Sequence, residues 1–314
     1  MSLERALELA ELGRERVEHT HPLVGAVVVR EGETVGEGWY EGRGTPHAEV
    51  AALEAAGERA RGATLFVTLE PCSHHGATPP CADAVVAAGI SRVVAGAVDP
   101  NPEVDGRGFA RLREAGVEVE LVDSWEARLQ NEAWRIWISR GRPFVVYKVA
   151  VTLDGRVSVP GSRWVSGEES RRRVHELRAQ SDAVAVGMGT VRADDPALTA
   201  RGVEARTQPR RLAFGHGPLP EGSELELRTG PLAEELAALG REGVRTLLLE
   251  GGPTLAEAFL AEDLVDKLLV FVAPTLSGAG AGLVASLPGP RTLRRLSSEQ
   301  VGEDVLLTAY VHEP

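Results

Sequence analysis

The residues able to do chemistry gather in one stretch, His47 to Cys81, which holds both cysteines of the chain. A zinc ion that acts on a substrate takes three protein ligands and keeps a fourth position for water, whereas a structural zinc closes on four. His47, Cys72 and Cys81 supply three such ligands, and Glu49 stands two residues past the histidine without being needed as another. A spare carboxylate beside the metal is suited to take the proton of an attacking water and hand it to a leaving group. Because zinc brings the pKa of its water down to about 7, the chemistry this set points to is hydrolysis at neutral pH. The cysteines are separated by SHHGATPP, and a proline-rich loop of that length brings Cys81 back to Cys72. Two other readings stay open on these residues alone. One is a closed structural site completed by His74 or His75, and the other is a short disulfide between the cysteines.

The surrounding pattern places these groups. Ser2 caps a first helix with Leu3, Ala6, Leu7 and Ala10 at helical spacing. LVGAVVVR from Leu23 and ETVGEGWY from Glu33 read as two strands around a tight turn at Glu31-Gly32. HAEVAALEAAGERA is helical, ATLFVTLE is a buried strand ending at Pro71-Cys72, and PPCADAVVAAG opens a helix on its prolines. SRVVAGAVDP, GFARLREAG and VEVELVD continue as strand, helix and strand, so the first part is a sheet layered between helices. His47 and Glu49 fall in the first turn of one helix and Cys81 near the start of another. Partial positive charge at helix N-termini favours thiolate and hydroxide there. SWEARLQNEAWRIWISRGRP then reads as a long helical segment whose Trp125, Trp134 and Trp137 serve packing, and Gly141-Arg142-Pro143 breaks it. The break divides the chain into domains 1–143 and 144–314.

The second domain opens on a strand from Phe144 and a turn at Asp154-Gly155. Ser166 with Glu169 makes a capping box for the helix ESRRRVHELRAQS. DAVAVGMGTV is a strand entering a glycine-containing turn, and DDPALTAR is a loop carrying Asp194, Asp195 and Arg201. GVRTLLLEGGPTLAEAFLAEDL is strand, Gly-Gly turn and helix, with Pro253 in the first turn; backbone N–H groups at such a start can hold a phosphate, though many Gly-Gly turns hold no ligand. KLLVFVAPTL and VLLTAYVHE close the domain as strands.

Composition bounds the partners. A net charge of −12 argues against nucleic acid, so anionic substrates must be met by local arginines. Two cysteines inside a ligand pattern read as thiolates of a reducing compartment. The first residues are amphipathic and charged, without the apolar stretch of a signal peptide, and no apolar run is long enough to span a bilayer. These features place the protein in the cytoplasm, with no membrane partner.

The H-x-E pattern at His47, followed by Pro71-Cys72 and a second cysteine, resembles the zinc-dependent base deaminases. TLEPCSHHG, TPPC and DPNPEVDGRG narrow the resemblance to the bifunctional deaminase/reductase of riboflavin biosynthesis. The second half agrees through KVAVTLDGR, the run GSRWVSG from Gly161, LRAQSDAVAVGMGTVRADDPALTAR and EGGPTL before LVDKL. The resemblance implies an α/β protein: a cytidine-deaminase-like three-layer α/β/α domain followed by a dihydrofolate-reductase-like α/β domain. It implies hydrolysis of a ring amine on a diaminopyrimidinone ribosylamine 5′-phosphate with Zn2+, then NADPH-dependent reduction of the ribosyl group to ribityl. Glu49 is then the catalytic group and His47, Cys72 and Cys81 the metal ligands. Ser162, Arg178, Leu198, Arg201 and Glu250 are implied to contact the reductase substrate, Arg178 and Arg201 as a phosphate clamp. Ala150, Trp164, Thr190, Asp194 and the turn Gly252, Pro253, Thr254 are implied to meet NADPH. A homo-oligomer formed through the reductase domains is implied as well. The chain departs from the usual pattern at His21, where asparagine is common, at Ala77, where a lysine or arginine is common, and in a short 208–230 region. His21 and Ala77 motivate a competing reading, a reductase-only enzyme keeping a structural zinc; a non-catalytic nucleotide-binding protein using both pockets is another.

Overall fold

The computed structural model describes residues 2–14, 21–74, 79–102 and 104–314. The chain forms two compact units, Met1–Arg140 together with Pro314, and Gly141–Glu313. Gly141, Arg142 and Pro143 fall in the second unit. Arg142 makes a two-pronged pair with the buried Asp266, at 2.7 and 2.8 Å.

The first unit runs α1 (Ser2–Leu12), β1 (Gly25–Arg30), β2 (Glu33–Trp39), α2 (Ala48–Ala56), β3 (Thr64–Val67), α3 (Cys81–Ala87), β4 (Arg92–Ala95), α4 (Arg107–Glu114), β5 (Glu118–Leu121), α5 (Trp125–Gln130) and α6 (Glu132–Arg140). Its sheet has the order β2-β1-β3-β4-β5. β1 is antiparallel to β2 and β3, while β4 is parallel to β3 and β5. Glu31 and Gly32 take positive φ, 52° and 84°, as the tight β1–β2 turn demands. Successive side chains of a strand point to opposite faces, and both faces here are covered. Ala26, Val28, Leu65 and Val67 pack with Ala52 of α2, Val85 of α3 and Leu112 of α4. Val27 packs on Ala6 and Leu9 of α1 on the other side. Trp134 joins Leu69, Ala97 and Ala127 in a smaller cluster, in keeping with a packing role.

The expected long helix after Asp123 is in fact α5 and α6, interrupted at Asn131. The amide of Asn131 is buried and bonds both ways to Leu23, accepting its N–H at 2.7 Å and donating to its carbonyl at 2.9 Å. Asn131 ends α5 with non-helical backbone angles, φ −118° and ψ 22°.

The second unit runs β6 (Phe144–Thr152), α7 (Glu168–Gln180), β7 (Ala183–Gly187), α8 (Met188–Asp194), β8 (Arg210–Phe214), β9 (Glu226–Arg228), α9 (Leu232–Arg241), β10 (Thr246–Leu249), α10 (Pro253–Ala261), β11 (Lys267–Ala273), β12 (Arg294–Val301) and β13 (Asp304–Tyr310). The sheet order is β12-β13-β11-β6-β10-β7-β8-β9. β11 through β9 are mutually parallel, and β13 and β12 close one edge antiparallel. Tyr147, Leu247, Leu249 and Phe259 belong to the core on one face, Val184, Val186 and Leu248 to that on the other. Parallel strands buried on both faces explain the near-continuous apolar runs.

Three local expectations are corrected here. The capping box of Ser166 with Glu169 does not form: the N-cap is Gly167, without a side-chain cap, and its N–H donates to Asp304 at 2.8 Å. Residues 188–194 are a helix, so Asp194 closes α8 and does not lie in a loop. A further strand, β12, precedes the last one; nearly all its residues are exposed, so it carries no buried apolar periodicity to reveal it.

Candidate active sites

In the first unit the chain's turns converge on one point. His47 is the N-cap of α2, extended at φ −65° and ψ 157°, with its side chain free of capping. A Cβ on Gly38 would come within 2.5 Å of the Ala48 carbonyl, so only glycine lets the start of α2 seat this closely on β2. Cys72 follows β3 through Pro71, and Cys81 is the first residue of α3, after the N-cap Pro80. His47 Nδ1 lies 3.1 Å from Cys81 Sγ and 3.8 Å from Cys72 Sγ, and the three donor atoms lie within 4.8 Å of one another. A tetrahedral zinc with ordinary Zn–N and Zn–S bonds places such atoms about 3.6 Å apart, so the set fits this metal. His74 is not part of the group, and His75, like Ala77, lies outside the described residues. Both cysteines are free, which removes the disulfide reading.

The electrostatics suit the ligands. The Cys81 N–H, at the start of α3, donates to Cys72 Sγ at 3.3 Å. Hydrogen bonding from Cys81, and then from His47, holds the Cys72 thiol well below the usual thiol range. Sharing its hydrogen with Cys72, together with burial, holds Cys81 above it. Glu49, in the first turn of α2, is 4% exposed, and burial with the charge of Cys72 pushes its carboxyl up to about 7. A group poised near neutral pH is what acid–base work requires. Tyr40 stands edge-on to His47, with ring centroids 5.7 Å apart, and the His21 ring lies 5.7 Å beyond it. His21 is thus linked to the ligand His47 through the Tyr40 ring. Asp99, which the sequence reading did not single out, is buried and pushed up to about 6 by that burial.

In the second unit several expected residues meet, though not as expected. Glu250 follows β10 at the end of the parallel strands, with its side chain 9% exposed. Arg178, in the last turn of α7, donates to it from Nε at 2.6 Å and from Nη2 at 3.1 Å. Lys148 of β6 lies 3.4 Å from the same carboxylate. The two cations outweigh the cost of burial and hold the Glu250 carboxyl below its ordinary range. Arg178 Nη1 donates to the Thr199 carbonyl at 3.2 Å, so all three guanidinium nitrogens bond protein groups. His175 Nδ1 lies 3.2 Å from that carbonyl and from the Arg201 N–H. Leu198 is buried at φ 52°, a conformation uncommon for a bulky side chain. The Arg201 side chain is exposed.

Thr190 Oγ1 lies 3.7 Å from where a Cβ on Gly252 would sit, which joins α8 to the Gly252 turn; Gly252 is the N-cap of α10 and Pro253 its first residue. Thr254 lies in that first turn, Ala150 within β6, and Asp194 at the exposed end of α8. Ser162 and Trp164 form a cluster of their own, Ser162 Oγ donating to the Trp164 carbonyl at 2.7 Å. Trp164 is exposed beneath the guanidinium groups of Arg163 and Arg171. A cavity of about 270 Å³ opens beyond the ends of β8 and β9, lined by Phe214, His216, Pro231, Leu232 and Leu255 among others. Lys148 and His175 were missed in the sequence. A lysine inside the apolar run FVVYKVAVT is a signal, because a buried ammonium needs a carboxylate.

Comparison with known proteins agrees with this geometry. Residues 1–97 match the cytidine and deoxycytidylate deaminase zinc-binding region, and residues 143–307 the RibD C-terminal domain. The chain is 41% identical to the riboflavin biosynthesis protein RibD of Escherichia coli, over 91% of this chain and 90% of that one. It is 40% identical to that of Aquifex aeolicus, over 96% and 95%. Among solved structures, Acinetobacter baumannii RibD superposes with a TM-score of 0.79 at 36% identity, covering 98% of this chain and 97% of that one. The Thermotoga maritima diaminohydroxyphosphoribosylaminopyrimidine deaminase/5-amino-6-(5-phosphoribosylamino)uracil reductase gives 0.78 at 33%, with the same coverage. Two domain signatures in one order, with relatives about 40% identical over nearly the whole chain, leave one conclusion: the chain belongs to the RibD family of bifunctional riboflavin-biosynthesis enzymes, a zinc deaminase followed by an NADPH-dependent reductase.

Proposed function

We propose that both steps are carried by the residues above and act on one phosphorylated pyrimidine. The observation that bears most weight is the pairing of a three-ligand cluster with a buried carboxylate that is not part of it. His47, Cys72 and Cys81 hold zinc, which when bound supplies an activated water as nucleophile. Glu49 would carry one proton of that water to the ring nitrogen and the second to the departing amine, so the ring C–NH2 becomes C=O and ammonia leaves. Tyr40 and His21 line the pyrimidine side.

In the second unit NADPH supplies the hydride. The N-terminus of α10 at Gly252, Pro253 and Thr254 receives a cofactor phosphate, with Thr190, Asp194, Ala150 and Trp164 along the rest of the molecule. The cavity beside Leu255 takes the cofactor's far end; its place against α10, with Leu255 and Ala258 in its wall and His216 and Arg228 among its polar groups, supports this. Arg201, exposed and held through its backbone by His175, grips the substrate phosphate. Arg178 acts differently from a clamp: with Lys148 it fixes Glu250, which together with Leu198 and Ser162 orients the sugar. The cysteines, kept as thiols, support a cytoplasmic setting, and the exposed strand β12 with Leu293 and Leu296 supports self-association of the second units.

The test is a pair of variants. Glu49→Gln should cut deamination by about 10²–10⁴-fold while reduction of supplied deaminated intermediate is unchanged. Arg201→Ala should raise the reductase KM by about 10–100-fold and spare deamination. A variant that impairs both steps equally contradicts the assignment.

A further inference from the structure

Glu70, in the TLEPC run, takes no part in the ligand set or in the proton transfers assigned above, yet its carboxylate is one of the most heavily used groups in the first unit. It is 3% exposed. Oε1 accepts the N–H groups of Gly108 at 2.9 Å and Phe109 at 3.2 Å; Oε2 accepts those of Gly106 at 3.0 Å and Asp99 at 3.4 Å. α4 begins at Arg107 after an N-cap, Gly106, that is left-handed and has no capping side chain. The orphan N–H groups of its first turn are therefore satisfied by a carboxylate 36 to 39 residues earlier in the chain. The same turn presses on the ligand strand: a Cβ on Gly108 would meet the Pro71 carbonyl at 1.9 Å. Pro71 immediately precedes Cys72.

We infer that Glu70 is a positioning residue for the deamination step, a latch that locks the Pro71-Cys72 ligand segment to the start of α4 and to the backbone of Asp99. This rests on the reading of the first unit as the deaminase. Without the latch, Cys72 and the buried Asp99 lose their common reference while the three zinc ligands remain. Glu70 acts through the backbone beside Cys72, and groups that orient a metal ligand typically change activity by about 10–100-fold when altered.

The experiment uses the full-length, zinc-loaded chain. In Glu70→Gln the side-chain amide keeps one acceptor oxygen and turns an NH2 toward the backbone N–H groups it formerly received. The expected result is one zinc per chain, an unchanged reductase rate, a fall of about 10–100-fold in deaminase kcat/KM, and faster hydrogen exchange in peptides covering Asp99 and residues 106–112. Glu70→Asp, which keeps the charge, should recover part of both the rate and the protection. Unchanged deamination, or unchanged exchange over 106–112, overturns the inference. Loss of zinc in Glu70→Gln that Glu70→Asp does not reverse overturns it as well, since Glu70 would then hold the metal site or the unit together as a whole. If the wild type itself does not deaminate, the reading of the first unit fails, and the exchange comparison still decides whether the latch exists.

Discussion

Glu250 is the residue whose removal separates a fixed charge triad from a loose set of polar groups. Its carboxylate meets Arg178 at 2.6 and 3.1 Å and Lys148 at 3.4 Å, and the side chains are 9%, 14% and 15% exposed. Glu250→Gln keeps the shape and removes the charge, which strands two largely buried cations. Breaking a buried pair from one side costs about 3–5 kcal/mol, and the residual exposure of Arg178 and Lys148 argues for the lower end, about 3 kcal/mol. For a unit of this size that is a fall in Tm of about 6–12 °C. Because two units unfold in one chain, calorimetry must resolve their transitions, and the shift should fall on the second. Reduction of the supplied intermediate, followed by loss of NADPH absorbance, should collapse while deamination persists. The pH dependence has a definite sign. Burial raises the Glu250 carboxyl, but Lys148 and Arg178 overcome it and leave it below its ordinary value of 4.5. Its contribution is therefore complete above that value and is lost as pH falls through the lower folded one; Glu250→Gln should flatten that acid limb. An unchanged Tm together with unchanged reductase activity would falsify the triad as a structural and catalytic element.

Three further outcomes follow from the first unit. Removing zinc with a chelator should abolish deamination, leave reduction of the supplied intermediate intact and expose Cys72 and Cys81 to a thiol reagent; retained deamination would rule out the metal's role. Asn131→Ala orphans the Leu23 N–H and carbonyl, at about 1–3 kcal/mol for each buried group, so the first unit's transition should drop while the second stays. His21→Asn should preserve zinc and alter chiefly the deaminase KM, because His21 is linked to the metal ligand only through the Tyr40 ring; a changed zinc content would contradict its assignment to the pyrimidine side.

What the sequence disclosed depended on range. The metal ligands were legible because each stands at a helix start or in the segment that a strand leads into, marked by punctuation: Pro80 before Cys81, Pro71 before Cys72, Gly57 after the helix of His47. The layered sheets were legible from apolar runs buried on both faces. Four features were not, and each is set by a partner far along the chain. Asn131, where the helix ends, bonds Leu23; the Gly167 N–H at the cap of α7 donates to Asp304; Arg178 pairs with Glu250; Glu70 caps α4. β12 escaped for a different reason, having almost no buried residue to give it a period. Local pattern locates chemistry well, but it cannot show which of two charged groups a side chain will choose.

The most direct test of the whole account is mass spectrometry on the purified, zinc-loaded chain given the diaminopyrimidinone ribosylamine 5′-phosphate, with and without NADPH. Without NADPH, the substrate should exchange one amine for a carbonyl and stop there. With NADPH, the product should gain two hydrogens, one from the cofactor and one from solvent. Addition of hydrogen without loss of the amine would place the steps in the wrong order. Failure to lose the amine while supplied deaminated intermediate is still reduced would leave the zinc cluster a structural remnant.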